Sequence, residues 1–199
     1  MLVREAMSST PTTVAPDTRI KVALGLLAQH RLTALPVVDA DGHLQGMVSE
    51  ADLIRESLTR DPRLHEIPDS GERIALPQAV HEVYTPHAIS VRPDDDLADA
   101  VDLMTSTSIK SLPVVDDRGR VVGVVSRSDV VRILARADSA IEAEVIAMMH
   151  DLGHDCWLVD VEAGIVRVDG PSGTSEEALA LLAARAVSGV VDVRIASGP

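Results

Sequence analysis

The sequence predicts an α+β fold in which a duplicated unit is followed by a smaller, unrelated domain. Val-rich stretches typical of strands alternate with Ala- and Leu-rich stretches typical of helices, so both kinds of element are expected. The segment Leu35–Asp39 returns 77 residues later as Leu112–Asp116, and the same offset relates residues 3–55 to residues 80–132 without a gap. After about Ala137 the repeat stops and a different pattern begins.

Each repeat predicts the element order β-α-β-β-α. In the first copy a short strand lies around Val14, and a helix then opens with Asp17 or Thr18 as its N-cap. A hairpin and a helix capped by Ser49 follow, with expected bounds Leu35–Asp39, Leu44–Val48 and Ala51–Leu58. The second copy repeats this order with a strand near Val91, a helix through Leu97 and Met104, and strands at Leu112–Asp116 and Val121–Val125. One unit exposes an apolar sheet face, so the two copies are expected to pack as a pseudo-symmetric pair.

The C-terminal part predicts the order α-β-β-α-β. Capping boxes are expected at Ser139-x-x-Glu142 and Thr174-x-x-Glu177, each at the start of a helix. The strands are expected at Trp157–Val161, Ile165–Asp169 and Val190–Ile195. The predicted organisation is therefore repeat 1 at 1–60, an exposed linker at 61–79, repeat 2 at 80–137 and a small domain at 138–199.

Composition and charge exclude several classes of function. The net charge of −13 repels phosphate backbones, and Trp157 and Tyr84 are the only aromatic residues, so nucleic-acid binding is not expected. No secretory signal and no stretch of about 18 apolar residues is visible, which predicts a cytoplasmic protein that does not cross a membrane. The sequence has no Gly-rich phosphate loop, Ser-His-Asp order or metalloprotease motif, so we expect neither an enzyme nor a bound cofactor or metal.

Two parts of the chain resemble known families. Leu35–Asp39 followed by Gly46–Asp52 resembles the CBS motif, and Leu112–Asp116 followed by Gly123–Asp129 resembles a second copy. Two tandem motifs make a Bateman module, the pair that in this family binds adenosine-containing ligands. Residues 138–199 resemble a BON domain, through the Val-rich strands and the glycines Gly164, Gly170 and Gly189.

Ser49-x-x-Asp52 and Ser126-x-x-Asp129 are the strongest candidates for a ligand site. Each lies where a strand turns into a helix, and free amides at a helix start attract phosphate. The Asp one turn into the helix could accept hydrogen bonds from the two hydroxyls of a ribose. A single Ser-x-x-Asp is also consistent with a simple capping box that needs no ligand, and its duplication after the same strand pattern favours a ligand site.

The resemblance implies two sites, each shared between the repeats. Site A would join residues of the first repeat to the Ser/Asp end of the second: Thr18, Ala23, Leu32 and Thr33 with Val125, Ser126, Ser128 and Asp129. Site B would be the converse set: Asp95, Ala100, Ile109 and Lys110 with Val48, Ser49, Ala51 and Asp52.

The expected function is regulatory sensing of AMP, ADP, ATP or a related adenosyl compound, signalled through a conformational change or a protein partner. A homodimer is expected through apolar residues on the last helix of each repeat, among them Leu53, Ile54, Leu58, Val131 and Leu134. The alternative is an interaction protein with empty clefts, whose C-terminal domain docks a partner or an envelope component. That domain has three basic and ten acidic residues between 139 and 199, so no membrane binding is expected.

Overall fold

The computed structural model describes residues 1–57 and 76–196, and their buried apolar side chains form three clusters. Two clusters belong to the repeats and the third to the C-terminal domain. Most of the predicted linker at 61–79, together with Leu58, lies outside the described residues. The elements of the two repeats are α1 (Val3–Ala6), α2 (Ile20–His30), β1 (Ala34–Val38), β2 (Leu44–Ser49), α3 (Glu50–Ser57), β3 (Thr85–Pro86), α4 (Leu97–Ser106), β4 (Ser111–Val115), β5 (Val121–Ser126) and α5 (Arg127–Leu134).

The two hairpins repeat each other in register. β1 pairs antiparallel with β2 from Ala34 opposite Ser49, and β4 pairs with β5 from Ser111 opposite Ser126. The strands expected near Val14 and Val91 are reduced to single parallel bridges, onto β1 and β4 respectively. The tips of the two hairpins also meet, because the Leu44 amide donates to the Gly119 carbonyl at 3.1 Å and the Val121 amide donates to the Gly42 carbonyl at 3.1 Å.

The repeats exchange their first segments. α1 packs on the core of the second repeat, where Val3 and Ala6 are buried with Leu112. In return Val80 is buried in the core of the first repeat, and β3 pairs with β2. The structural lobes therefore differ from the sequence repeats predicted at 1–60 and 80–137, and each lobe depends on the other repeat for part of its core.

Two glycines make this exchange possible. A Cβ on Gly46 would lie 2.2 Å from the backbone oxygen of Thr85, and a Cβ on Gly123 would lie 2.7 Å from that of Ser8. Both distances are far inside van der Waals contact, so the crossing segment fits only against glycine. At both positions the group that approaches is the backbone of the other repeat.

The predicted N-cap of the first helix is wrong. α2 begins after Arg19, because the Thr18 hydroxyl accepts a hydrogen bond from the Ala15 amide at 3.0 Å and thereby closes a turn before the helix. In the second repeat the cap is Asp96, whose carboxylate accepts from the Ala98 amide at 2.9 Å.

The C-terminal domain has the predicted element order, with α6 (Asp138–Asp151), β6 (Leu158–Glu162), β7 (Ile165–Asp169), α7 (Thr174–Arg185) and β8 (Asp192–Ala196). β7 lies between an antiparallel β6 and a parallel β8. No helix within 1–57 or 76–196 is long and apolar enough to cross a membrane.

Both capping boxes expected in this domain are wrong. The N-caps are Ala137 and Gly173, and neither makes a side-chain cap. The carboxylate of Asp138 instead accepts from the amides of Ala163 and Gly164 at 2.8 and 2.9 Å, which fastens α6 to the β6–β7 turn.

Candidate functional site

A cavity of about 430 Å³ lies between the repeats at the N-terminal end of α3. The first repeat supplies one wall and the second repeat the other. The side from the first repeat consists of Thr33, Ala34, Met47, Ser49, Glu50, Ala51 and Asp52. The side from the second repeat consists of Thr85, His87, Ala88, Ile89, Ser108, Ile109, Lys110 and Ser111.

The start of α3 forms a reciprocal capping box. The amide and hydroxyl of Ser49 donate to Asp52 Oδ2 at 3.0 and 2.6 Å, and the Asp52 amide donates back to the Ser49 hydroxyl at 3.2 Å. The Glu50 amide donates to the Thr33 carbonyl at 2.9 Å. The expectation of free amides for a phosphate is therefore wrong for these three groups, and what the helix start brings to the cavity is a carboxylate.

Two side-chain contacts join the repeats beside this cavity. The ammonium of Lys110 lies 2.7 Å from the Glu50 carboxylate, and the Thr33 hydroxyl lies 2.9 Å from the hydroxyl of Ser111, which is buried. The first is an exposed ion pair that salt screens, and the second is a partly buried hydrogen bond.

The backbone of the second wall is unusual at two positions. His87 and Ser108 have φ values of 54° and 60°, in the left-handed region that residues with a side chain seldom adopt. Backbone of this kind costs free energy and is concentrated at binding sites, where it sets the direction of neighbouring groups.

A second cavity, of about 280 Å³, lies in the pseudo-equivalent position. It is lined by Ser8, Thr10, Pro11, Thr12, His30, Leu32, Ala34 and Val124. Most of these are the counterparts, at the offset of 77, of residues that line the first cavity. The Ser/Asp end of the second motif does not line it: Arg127 donates to the Met104 carbonyl, and the Asp129 carboxylate pairs with Arg132.

The structure brings most of site B together and divides site A. Ile109 and Lys110 line the larger cavity with Ser49, Ala51 and Asp52, as expected for site B. Of the residues expected in site A, Leu32 lines the smaller cavity and Thr33 lines the larger one, whereas Ser126, Ser128 and Asp129 line neither.

Six expected site residues point elsewhere. Ala23, Val48, Ala100 and Val125 are at most 1% exposed, because they lie on the inward faces of their helices and strands and complete the two cores. Thr18 and Asp95 close turns: their side chains accept from the amides of Ala15 and Arg92, at 3.0 and 2.7 Å.

Sequence reasoning missed the segment that closes the second wall. Thr85, His87, Ala88 and Ile89 precede the bridge at Val91, and Ser108 precedes β4. These residues carry no recognisable motif. They reach the cavity because the repeats exchange segments, and the sequence does not show that exchange.

Three potential metal ligands, Asp39, Asp41 and His43, lie within 4.8 Å of one another at the tip of the first hairpin. The Asp39 carboxylate already accepts from the amides of Asp41 and His43 at 3.0 and 2.9 Å. The His43 amide is also the largest cause that holds the pKa of Asp39 below its ordinary value. Asp116 closes the second hairpin in the same way, so turn formation accounts for this cluster.

Comparison with known proteins agrees with this architecture. The CBS domain model matches residues 3–59 and 80–136, more than half of the chain. A CBS domain-containing protein of Dictyostelium discoideum is 34% identical over 137 residues, which cover 68% of this chain and 92% of that protein.

Two solved structures have a similar fold. The structure of CBSX2 in complex with AMP, a CBS-pair protein of Arabidopsis thaliana, is 32% identical with a TM-score of 0.54, covering 66% of this chain and 93% of that one. The CBS domain pair of protein MJ0100, in complex with 5′-methylthioadenosine and S-adenosyl-L-methionine, is 27% identical with a TM-score of 0.54, covering 66% and 94%.

Proposed function

The chain belongs to the CBS domain family, and from this premise we propose that it is a regulatory module that binds an adenosine-containing ligand between its repeats. The observation that carries the proposal is that Asp52 of one repeat and Ile109 and Lys110 of the other line a single cavity of about 430 Å³. This volume is typical of a small-molecule site, for which the usual range is about 300–1,000 Å³.

The side chains of the cavity suit the parts of adenosine. Met47, Ile89 and Ile109 offer an apolar surface to an adenine ring. The Asp52 carboxylate accepts hydrogen bonds and would bind the two ribose hydroxyls, since Ser49 occupies only its Oδ2 oxygen in the hydrogen bonds of the capping box. The complexes of CBSX2 with AMP and of the MJ0100 pair with adenosyl compounds support this assignment.

We assign the larger cavity as the principal site and the smaller one as a secondary site. In this proposal the chain is a cytoplasmic regulator and not an enzyme. Because both repeats contribute walls to the cavity, a bound ligand would contact both and stabilise their present arrangement. The signal is the resulting change in the surface presented to a protein partner.

The C-terminal domain, which we take to be BON-like, would transmit or receive this signal. Arg136 is one of its contacts with the repeats: it donates to the Ser188 carbonyl at 2.5 Å and pairs with Glu144 at 2.6 Å. The acidic excess of the domain argues against binding to an anionic membrane.

We further propose a homodimer through α3 and α5. Ile54, Val131 and Leu134 expose 48%, 64% and 59% of their surface there, whereas Leu53 of the expected face is buried in its own core. Light scattering at micromolar concentration is expected to give twice the monomer mass, and Val131→Asp combined with Leu134→Asp should give the monomer. A monomeric wild type would contradict the proposal.

Calorimetric titration with AMP, ADP, ATP, S-adenosylmethionine and 5′-methylthioadenosine tests the site. At least one compound should bind the wild type and raise its Tm. Ala51→Leu fills the larger cavity from an exposed helix position and should weaken binding by more than about tenfold.

The matched control is Ser128→Leu, which places the same new side chain at the equivalent position of α5, where residue 128 lines neither cavity. It should bind like the wild type. If no adenosine compound binds the wild type, the interaction protein with empty clefts is the better account. If Ala51→Leu binds normally, the ligand lies elsewhere.

A further inference from the structure

The charged side chains of the larger cavity are arranged unfavourably for a phosphate. Its wall carries two carboxylates, Glu50 and Asp52, against one ammonium, that of Lys110. The ammonium lies 2.7 Å from the Glu50 carboxylate, so its charge is already compensated. Among the described residues that line the cavity there is no arginine, and His87 is the remaining titratable side chain.

The start of α3 supplies little of what the side chains lack, because three of its amides already have partners and only that of Ala51 remains among the described cavity residues. A helix N-terminus binds phosphate through amides that have no other partner. Here the amides of Ser49, Glu50 and Asp52 donate to the Asp52 carboxylate, the Thr33 carbonyl and the Ser49 hydroxyl. The first turn also contains both carboxylates, which already complement the positive end of the helix dipole.

We infer that this cavity selects adenosine compounds whose 5′ substituent is neutral or positively charged, such as a thioether or a sulfonium, and disfavours 5′-phosphates. The inference rests on the proposed function, since it names the ligand class of the same site. The apolar wall suits the alkyl part of such a substituent, and the excess of one carboxylate over the single ammonium suits a positive charge. A phosphate must instead separate Lys110 from Glu50 and lie beside two carboxylates.

The test compares dissociation constants for 5′-methylthioadenosine, S-adenosylmethionine and AMP near pH 8, at which an imidazole is ordinarily uncharged. The two thio compounds should bind the wild type roughly tenfold more tightly than AMP, the scale expected for one unfavourable charge contact. Raising the salt concentration should improve AMP binding, because screening weakens the repulsion.

Glu50→Gln should raise the affinity for AMP by roughly tenfold by releasing Lys110, while binding of 5′-methylthioadenosine stays within about twofold. Glu162→Gln, which removes one negative charge from the C-terminal domain, is the control for net charge and should change neither. AMP binding that is tighter than that of both thio compounds, or unaltered by Glu50→Gln, overturns the inference and leaves the proposed function intact. If none of the compounds binds, the proposed function itself has failed.

Discussion

The two cavities of the CBS pair derive from one duplicated backbone and differ in what their side chains do. Ser49 and Asp52 of the first motif line the larger cavity, whereas Ser126 and Asp129 of the second motif do not line the smaller one. Lys110 and Glu50 form an ion pair across the larger cavity. Their counterparts at the offset of 77 are Thr33 and Arg127, which form no such pair. Arg127 instead donates a hydrogen bond to the Met104 carbonyl. Duplication has preserved the hairpins and caps, and substitution has changed the charged side chains between the repeats.

The difference has a general lesson for repeats of this kind. The Ser/Asp residues of the capping boxes are the same in both copies, and both hairpins carry the same bulge. Other residues that face the space between the copies have diverged, as Lys110 and Thr33 and as Glu50 and Arg127 illustrate. Ligand choice is therefore expected to follow the positions at which the two copies differ.

The largest expected effect is a difference in stability between alanine variants of Gly46 and Gly123, the two glycines that contact a segment of the other repeat. Gly46→Ala should lower the free energy of unfolding by about 3 kcal/mol or more, since its Cβ would collide with the Thr85 backbone oxygen and the Tyr84 ring. Gly123→Ala should cost about 1–2 kcal/mol, because one of its two closest neighbours is the flexible side chain of Met7. Urea unfolding of both variants gives the comparison.

Gly25→Ala is the control for these substitutions. Gly25 lies in the middle of α2 with nothing within 4 Å of an added Cβ, so alanine should stabilise the protein by about 0.5–1 kcal/mol. If Gly46→Ala is as well tolerated as Gly25→Ala, the packing of β3 against β2 is looser than the structure indicates.

Sequence reasoning reached the hairpins and the helix capping boxes at Ser49 and Ser126, and five of the eight residues it expected in site B line one cavity. These features follow from local chemistry that repeats with a fixed spacing. It did not reach the exchange of α1 and β3 between the lobes, because a repeat in sequence does not say on which core a segment packs. Thr18 and Asp95 were misjudged for a local reason, since a turn takes up their side-chain oxygens before any ligand can.

Asp52 and Asp129 occupy equivalent capping positions, but only Asp52 lines one of the two cavities. Asp52→Ala removes a charge-assisted acceptor from the larger cavity and should weaken binding there about ten- to hundredfold. Asp129→Ala removes the same capping box from the other repeat, where the carboxylate lines neither cavity, and should leave that affinity within about twofold. Each should cost roughly 1 kcal/mol in unfolding free energy, so the two variants are matched in stability. Equal losses of affinity in calorimetry would mean that the two sites are functionally equivalent.

The smallest effect concerns the ion pair that distinguishes the larger cavity. The Lys110 and Glu50 side chains are 59% and 39% exposed, so solvent screens their attraction and the pair should contribute little to stability. A double-mutant cycle with Lys110→Met and Glu50→Gln should give a coupling of about 0.2–1 kcal/mol in urea unfolding at low salt, falling towards zero at high salt. The corresponding cycle with Thr33→Val and Arg127→Gln should give none, because the structure joins no charges at those positions. A coupling well above about 1 kcal/mol would mean that the pair is more dehydrated than its exposure indicates.

A weak pair is what a binding site at this position needs, because a ligand can rearrange Lys110 and Glu50 without unfolding the repeats that hold them.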